Sequence, residues 1–346
     1  MPRSEFATRN QVKARPKASP EPLLLGRYPT PVQRIGAFST PQCDFWVKRD
    51  DLTNEVYGGN KVRKLEWLLA EVLASGAKRI VTIGAAGSHH VLATTYFGTR
   101  AGLQVEAVLV SQPRTDHAVE VLRASIGLGL RAFPAPSWAA APVVFAVRVL
   151  AGARPVAAGG SSVSGSMGYV GAARELATQV RQGLVPEPDV CVVPLGSGGT
   201  AAGLAAGFEA EKLKTRVVAV CVLGPAWLLR LRLIRLARAC AKRAGLVARS
   251  LSPARIAVDD RFVGNGYGWP VLVADEATRE AREAAGLVLD PTYTAKAFAA
   301  ALWQARARRA TCVLYWHTLS SAPMHRLLKG SPEESALAPA LRRLFS

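Results

Sequence analysis

The chain has 346 residues, 49% of them hydrophobic, 20% charged, with a mean hydropathy of +0.14, a composition that excludes wholesale disorder and supplies core for about two domains. Its net charge of +19 raises the question of a polyanionic partner. Cys43, Cys191, Cys221, Cys240 and Cys312 form no CxxC pair and are odd in number, which argues against a disulfide scaffold or a cysteine zinc site and for a reducing, cytoplasmic setting.

Residues 1–22 are polar, basic and proline-containing, with no apolar stretch of the signal-peptide kind, and read as a flexible tail. Lys48-Arg49-Asp50-Asp51 is a dense cluster of opposite charges. Gly58-Gly59-Asn60-Lys61 then opens a helical stretch over residues 62–75. A helix start adds positive potential, which lowers the cost of keeping Lys61 as a neutral amine, and a neutral lysine can bond a carbonyl cofactor. A lysine after glycines is also often an ordinary loop charge.

Residues 79–83 read as a strand ending at Gly84-Ala85-Ala86-Gly87-Ser88-His89-His90. Small residues at the following helix start suit a carboxylate, and Ser88 adds a hydroxyl that would equally serve as an N-cap. A further strand is expected at 105–110 and a helix at 166–181. Arg148 and Arg154 interrupt the most apolar run, so no membrane span is expected. The strand at 189–194 leads into Leu195-Gly196-Ser197-Gly198-Gly199-Thr200, where side-chain-free backbone can turn several N–H groups toward one anion. No lysine follows these glycines, so this is not a Walker loop.

After a strand at 216–222 comes the most basic segment, 225–258, holding Arg230, Arg232, Arg235, Arg238, Lys242, Arg243, Arg249 and Arg255 with no acidic residue. It reads as a helix with a solvated basic face. A polyanion or membrane-surface footprint is the alternative, and no nucleic-acid motif supports it. Gly264-Asn265-Gly266-Tyr267-Gly268 presents Tyr267 from a glycine-rich loop. A helix follows over 276–285, then Leu289-Asp290-Pro291-Thr292-Tyr293-Thr294, in which Tyr293 would stack on a ring or move a proton. A late strand at 311–316 ends at His317-Thr318, and residues 330–346 read as peripheral. Strand–helix alternation of this kind implies parallel sheets covered on both faces.

Taken together, the GGNKxRKLE stretch, Lys48–Asp51, the glycine turn and LDPxYT resemble the 1-aminocyclopropane-1-carboxylate deaminase/D-cysteine desulfhydrase family, over about residues 27–324. The resemblance implies a fold type II pyridoxal-phosphate enzyme: two α/β domains, each a largely parallel twisted sheet flanked by helices, with the cofactor between them. The large domain is expected at 23–60 and 174–346 and the small one at 61–173. Lys61 matches the lysine that carries pyridoxal 5'-phosphate as a Schiff base, with Asn60 beside it. Gly196, Ser197, Gly198, Gly199 and Thr200 match the phosphate loop, with Lys64 adding charge. Tyr293 and Tyr267 match two active-site tyrosines, Ser88 a serine that contacts substrate, and Thr318 the group facing the pyridine nitrogen.

Thr294 and Thr318 match the D-cysteine desulfhydrase branch, where the deaminase branch carries Glu and Leu. A neutral hydroxyl leaves the ring less electron-withdrawing, which suits loss of a thiolate better than opening of a cyclopropane. The expected activity is therefore β-elimination from D-cysteine, with Lys61 or a tyrosine taking the α-proton. A deaminase of 1-aminocyclopropane-1-carboxylate or another amino acid is the alternative, and a cofactor-binding paralogue with weak or no turnover is the non-enzymatic one. A homodimer with a small amino-acid substrate is expected, without a membrane or nucleic-acid partner.

Three stretches depart from the family pattern. Gly87 and His89 replace Gln and Asn, and Leu319-Ser320 replace two glycines. His89 is expected to donate to the cofactor oxygen in place of Asn, Gly87 to leave space near the substrate carboxylate, and Leu319-Ser320 to add bulk. The middle GGSN is Gly159-Gly160-Ser161-Ser162.

Overall fold

A computed structural model describes residues 20–247, 251–269 and 271–345. In chain order the strands are β1 Val32–Arg34, β2 Asp44–Lys48, β3 Arg79–Ala85, β4 Gln104–Val110, β5 Arg131–Pro134, β6 Arg154–Pro155, β7 Val190–Leu195, β8 Arg216–Cys221, β9 Ile256–Asp259 and β10 Cys312–Trp316. The helices are α1 Asn60–Ala74, α2 His89–Arg100, α3 Asp116–Gly127, α4 Ala141–Leu150, α5 Val163–Arg181, α6 Gly199–Ala210, α7 Ala226–Arg243, α8 Leu272–Ala285, α9 Thr294–Arg306, α10 His325–Leu328 and α11 Pro339–Arg342.

The strands form two sheets. The larger has the order β1-β2-β10-β7-β8-β9, parallel throughout except for the edge strand β1, and the smaller is the all-parallel β5-β4-β3-β6. Parallel strands buried on both faces are apolar at nearly every position, and β10 shows why. Val313 and Tyr315 point into the layer built with Phe298 and Ala301 of α9, while Leu314 and Trp316 point into the layer built with Leu204 and Phe208 of α6. The smaller sheet buries Ile80, Val105, Ala107 and Leu109 against α1, α2 and α3. Its other face buries Val81, Val108 and Val110 with Ala141 of α4.

The strands and helices anticipated above are present, with ends shifted by a few residues. Two placements differ. The divide expected at 173/174 falls inside α5, an unbroken helix from Val163 to Arg181. The C-terminal stretch is not peripheral: Leu337, Leu341 and Leu344, with Leu327 just before them, are buried in the core of the smaller sheet, and Gln112 bridges to Phe345. The i, i+4, i+7 spacing of Leu337, Leu341 and Leu344 is helical but spans only about two turns and is interrupted by Pro339, so the tertiary packing is what reveals that they are core. No helix among the described residues is long and apolar enough to cross a membrane.

In α7 the apolar face formed by Leu229, Leu233, Ile234, Ala237 and Cys240 is buried, and Arg230, Arg232, Arg235 and Lys242 are exposed. Arg249 and residues 1–19 of the expected tail lie outside the described residues.

Candidate active site

The end of β7, the starts of α1, α2, α6 and α9, and the loops after β9 and β10 supply the candidate residues. Lys61 occupies the first turn of α1. That turn has no side-chain cap; the orphan N–H groups of Gly59 and Asn60 donate instead to the carbonyls of Asp50 (2.8 Å) and Thr318 (3.0 Å). The approach is close enough to need glycine. At Gly59, φ is +86°, and a Cβ there would lie 2.6 Å from the Thr318 carbonyl oxygen.

The helix start is fixed from below by buried charges. Arg63 pairs with Asp50 (2.8 Å) and Glu175 (3.0 Å), and Lys48 with Glu175 (2.5 Å). Tyr169 donates to Asp50 (2.7 Å), and Lys48 also donates to Gln179 (2.8 Å). The cluster ties β2, α1 and α5 together. The remaining two residues of the motif brace the other side, since Arg49 forks onto Asp51 and Ser321 donates to the same carboxylate (2.6 Å). The Lys48–Asp51 motif thus holds the loop that aims Lys61.

Lys61 Nζ donates to Asn60 Oδ1 (2.7 Å), and Asn60 Nδ2 donates to Thr200 Oγ1 (3.1 Å). The lysine amine and the glycine turn are therefore two hydrogen bonds apart. Burial pulls the Lys61 amine down to about 8, and the charge of Asp290 opposes that pull. Lys64, one turn on, donates to the Gly159 carbonyl (3.1 Å); burial and the neighbouring Lys61 push it well below the usual lysine range.

At the turn itself Gly198 adopts φ +90°, which only glycine takes without strain. Ser161 approaches from the 159–162 loop: Gly199 N donates to its Oγ (2.9 Å), and that hydroxyl shares a hydrogen bond with Ser197 Oγ (2.7 Å). A Cβ on Gly199 would come within 2.6 Å of Ser161 Oγ. Backbone N–H, two serine hydroxyls and the start of α6 make a cradle that a side chain would fill. Ser161 has no local signal of this role beyond its place in the GGSS stretch.

Tyr293 walls the turn, its Cε1 lying 3.0 Å from where a Gly196 Cβ would be. It donates to the Tyr267 hydroxyl (3.0 Å), with the rings edge to face at 5.8 Å. Burial raises both phenols above their usual range. Tyr293 is aimed by Asp290, which accepts from the N–H groups of Thr292 (3.0 Å), Tyr293 (2.7 Å) and Thr294 (3.1 Å) and from Thr294 Oγ1 (2.6 Å). Asp290 belongs to a motif in the sequence, but its double duty as local cap and as the carboxylate acting on Lys61 depends on the fold.

Ser88 is the N-cap of α2, its Oγ accepting from Val91 N at 3.4 Å. Thr318 is buried, and among the described residues its hydroxyl has no hydrogen-bond partner, while its carbonyl receives Asn60 N.

Two expectations about the departures are corrected. Both ring nitrogens of His89 are engaged, Nδ1 with the Tyr57 hydroxyl (2.9 Å) and Nε2 with His117 Nε2 (2.8 Å), so His89 has no ring N–H free for the cofactor oxygen. Gly87 leaves no space at its Cβ position, which lies 2.6 Å from Ala118 Cβ; α3 has closed in, and Gln112 Oε1 accepts from Gly87 N (2.9 Å). Ser320, rather than only adding bulk, accepts from Gly58 N (2.9 Å) and so helps hold the loop before Lys61.

The donor set fits pyridoxal phosphate: an amine held toward neutrality, a glycine cradle for an anionic tail, and a tyrosine wall beside the cradle. Comparisons with known proteins agree. Residues 23–314 match the family described as pyridoxal-phosphate dependent enzyme. The chain is 35% identical over 285 residues to a D-cysteine desulfhydrase of Salmonella paratyphi A, covering 78% of this chain and 84% of that protein. Among solved structures it is similar to an ACC deaminase homologue, with a TM-score of 0.77, 28% identity, and 90% and 97% of the two chains covered. A hydrogen sulfide-producing enzyme of Fusobacterium nucleatum shares the fold at a TM-score of 0.59 and 14% identity, over 87% of this chain and 96% of that one.

Proposed function

The chain belongs to the pyridoxal-phosphate-dependent enzyme family, and from that premise we propose that it is a lyase of the D-cysteine desulfhydrase type, converting D-cysteine and water to pyruvate, ammonia and hydrogen sulfide. The observation that carries this reading is the path of two hydrogen bonds from Lys61 Nζ through Asn60 to Thr200. It holds an amine poised near neutrality beside the anion cradle. The cofactor, when bound, supplies an electron sink for a carbanion at the substrate Cα.

The protein's own groups do the rest. The amides and hydroxyls of Gly196–Thr200, with Ser161, hold the phosphate. Lys61 is the residue that would hold the aldehyde end of the cofactor, and its amine would accept the Cα proton; an amine of pKa near the working pH suits that transfer. Tyr293 and Tyr267 cover one side as a hydrogen-bonded pair that stays protonated. Ser88 contacts the substrate. Thr318 would offer a neutral hydroxyl, and no charge, to the ring nitrogen, and so would limit electron withdrawal to what loss of a thiolate requires. The relative named as a D-cysteine desulfhydrase supports this choice of leaving group. We place the enzyme in the cytoplasm as a homodimer, acting on a small amino acid and not on nucleic acid.

The test is to incubate the purified protein with D-cysteine, L-cysteine and 1-aminocyclopropane-1-carboxylate and to measure sulfide, 2-oxo acid and ammonia. Equal yields of sulfide and pyruvate from D-cysteine, lost in Lys61→Ala, are expected. Ammonia without sulfide would select the deaminase instead, and no product from any amino acid would leave a cofactor-binding paralogue.

A further inference from the structure

At the end of the larger sheet opposite the candidate active site, the loops entering β7, β8 and β10 meet around an open cleft of about 610 Å³. Strand β7 joins the two places. Asp189 precedes its first residue and Gly196 follows its last, so six residues at about 3.3 Å each set the cleft roughly 20 Å from the glycine cradle. The backbone pins the three loops to one another: Asp189 N donates to the Cys312 carbonyl (3.0 Å), and Arg216 N donates to the Asp189 carbonyl (2.9 Å). The sheet itself frames the cleft.

Lys214, Arg216, Arg308 and Arg309 line it. Among the described residues none of these four cations forms an ion pair or a side-chain hydrogen bond. Two carboxylates share the cleft, and backbone donors engage both. Asp189 Oδ2 accepts from Thr311 N (2.6 Å), Thr311 Oγ1 (2.8 Å) and Cys312 N (3.0 Å), and Glu187 accepts from Lys214 N. The cations are left in excess and without a contact partner. Two of the arginines are held in place. Arg309 lies over the Trp303 ring, 4.9 Å from its centre. Arg308 closes α9 at a φ of +53°, its N–H donating to the Ala305 carbonyl (3.3 Å) while Arg309 N donates to that of Gln304 (3.3 Å). That left-handed closing position ordinarily belongs to glycine. The chain keeps an arginine there in spite of the strain, and its side chain lines the cleft.

We propose that this cleft is a second anion site, which binds a short chain of linked phosphates, as carried by a nucleoside triphosphate or by inorganic polyphosphate. Guanidinium groups fork onto phosphate oxygens and the ammonium of Lys214 adds a point charge, so three arginines and a lysine suit several phosphates in a row. A single carboxylate or phosphate would leave part of that charge unmet. The volume is that of a small-molecule site. No aromatic side chain lines the cleft, and its apolar lining is Pro188, Val190 and Ala310. A nucleobase therefore finds no ring to stack on, and the phosphates are the part recognised. The cleft takes no part in the elimination reaction.

The test is calorimetric titration of the pyridoxal-phosphate-loaded protein, whose glycine cradle is already filled, with inorganic tripolyphosphate, ATP and adenosine. At about 0.15 M salt, tripolyphosphate and ATP should each bind one site per chain with a Kd of about 100 μM or tighter, within about threefold of each other, and adenosine should not bind. Arg216→Gln combined with Arg308→Gly should weaken tripolyphosphate binding about thirtyfold or more. Glycine suits the backbone at position 308, and an unchanged far-ultraviolet spectrum checks that the fold survives. Arg232→Gln combined with Arg235→Gln removes the same charge from the exposed face of α7 and should change the Kd less than about threefold. Absence of saturable binding, or equal weakening in the two double variants, would overturn the proposal and leave only diffuse attraction to the net charge of +19. Binding of adenosine, or of ATP about tenfold or more tighter than tripolyphosphate, would overturn it in favour of a nucleoside site.

Discussion

Lys61 sets the pH dependence of cofactor capture. Only the neutral amine attacks an aldehyde. Burial brings this amine to about 8, while Asp290 restrains the shift. An ordinary lysine of pKa about 10.5 is neutral to roughly 0.03% at pH 7, whereas one at about 8 is neutral to roughly 9%, a gain of about 300-fold. The sign follows directly: a base with a lowered pKa gains its neutral form as pH rises, and gains nothing more once above that pKa. The apoprotein, mixed with pyridoxal phosphate in a stopped-flow spectrophotometer, should capture it about ten times faster at pH 7 than at pH 6. Between pH 8.5 and 9.5 the rate should change less than about twofold. A rate that keeps climbing tenfold per pH unit through pH 9 would show an unperturbed lysine and refute the reasoning.

Other perturbations follow from the same geometry. Glu175→Gln strips one carboxylate from the Lys48–Arg63–Asp50 cluster and should cost about 3 kcal/mol or more of stability, read from the denaturant midpoint; a change under about 0.5 kcal/mol would mean that the cluster does not hold α1. Gly199→Ala drives a methyl into Ser161 and should weaken pyridoxal phosphate binding about tenfold or more in Kd, leaving the far-ultraviolet spectrum intact. Unchanged affinity would remove Ser161 from the cradle. Gly59→Ala, strained by its φ of +86° and blocked by the Thr318 carbonyl, should destabilise the fold by about 2 kcal/mol or more, measured by thermal unfolding.

The sheets are legible in the sequence because parallel strands announce themselves as short apolar runs closed by glycine, as at residues 190–195. The lysine, the glycine turn and the two tyrosines are legible because each occupies a fixed local context and keeps it in the fold. What escapes the sequence is what joins residues far apart. Ser161 meets the turn 38 positions later, and nothing in its neighbours marks that contact. Its place in a motif points His89 at the cofactor, yet Tyr57 and His117, 32 and 28 residues away, take both of its nitrogens. Leu337, Leu341 and Leu344 carry a helical spacing over only about two turns, too short to mark a core face alone, and become core because the smaller sheet packs against them. Periodicity reports on an element's own faces; it carries no information about which distant side chain will arrive.

The most direct test of the account is to reduce the pyridoxal-phosphate-loaded protein with borohydride and map the labelled peptide by mass spectrometry. The label should fall on Lys61. A label on Lys64, whose amine is also driven toward neutrality one turn away, or on Lys296, would contradict the account.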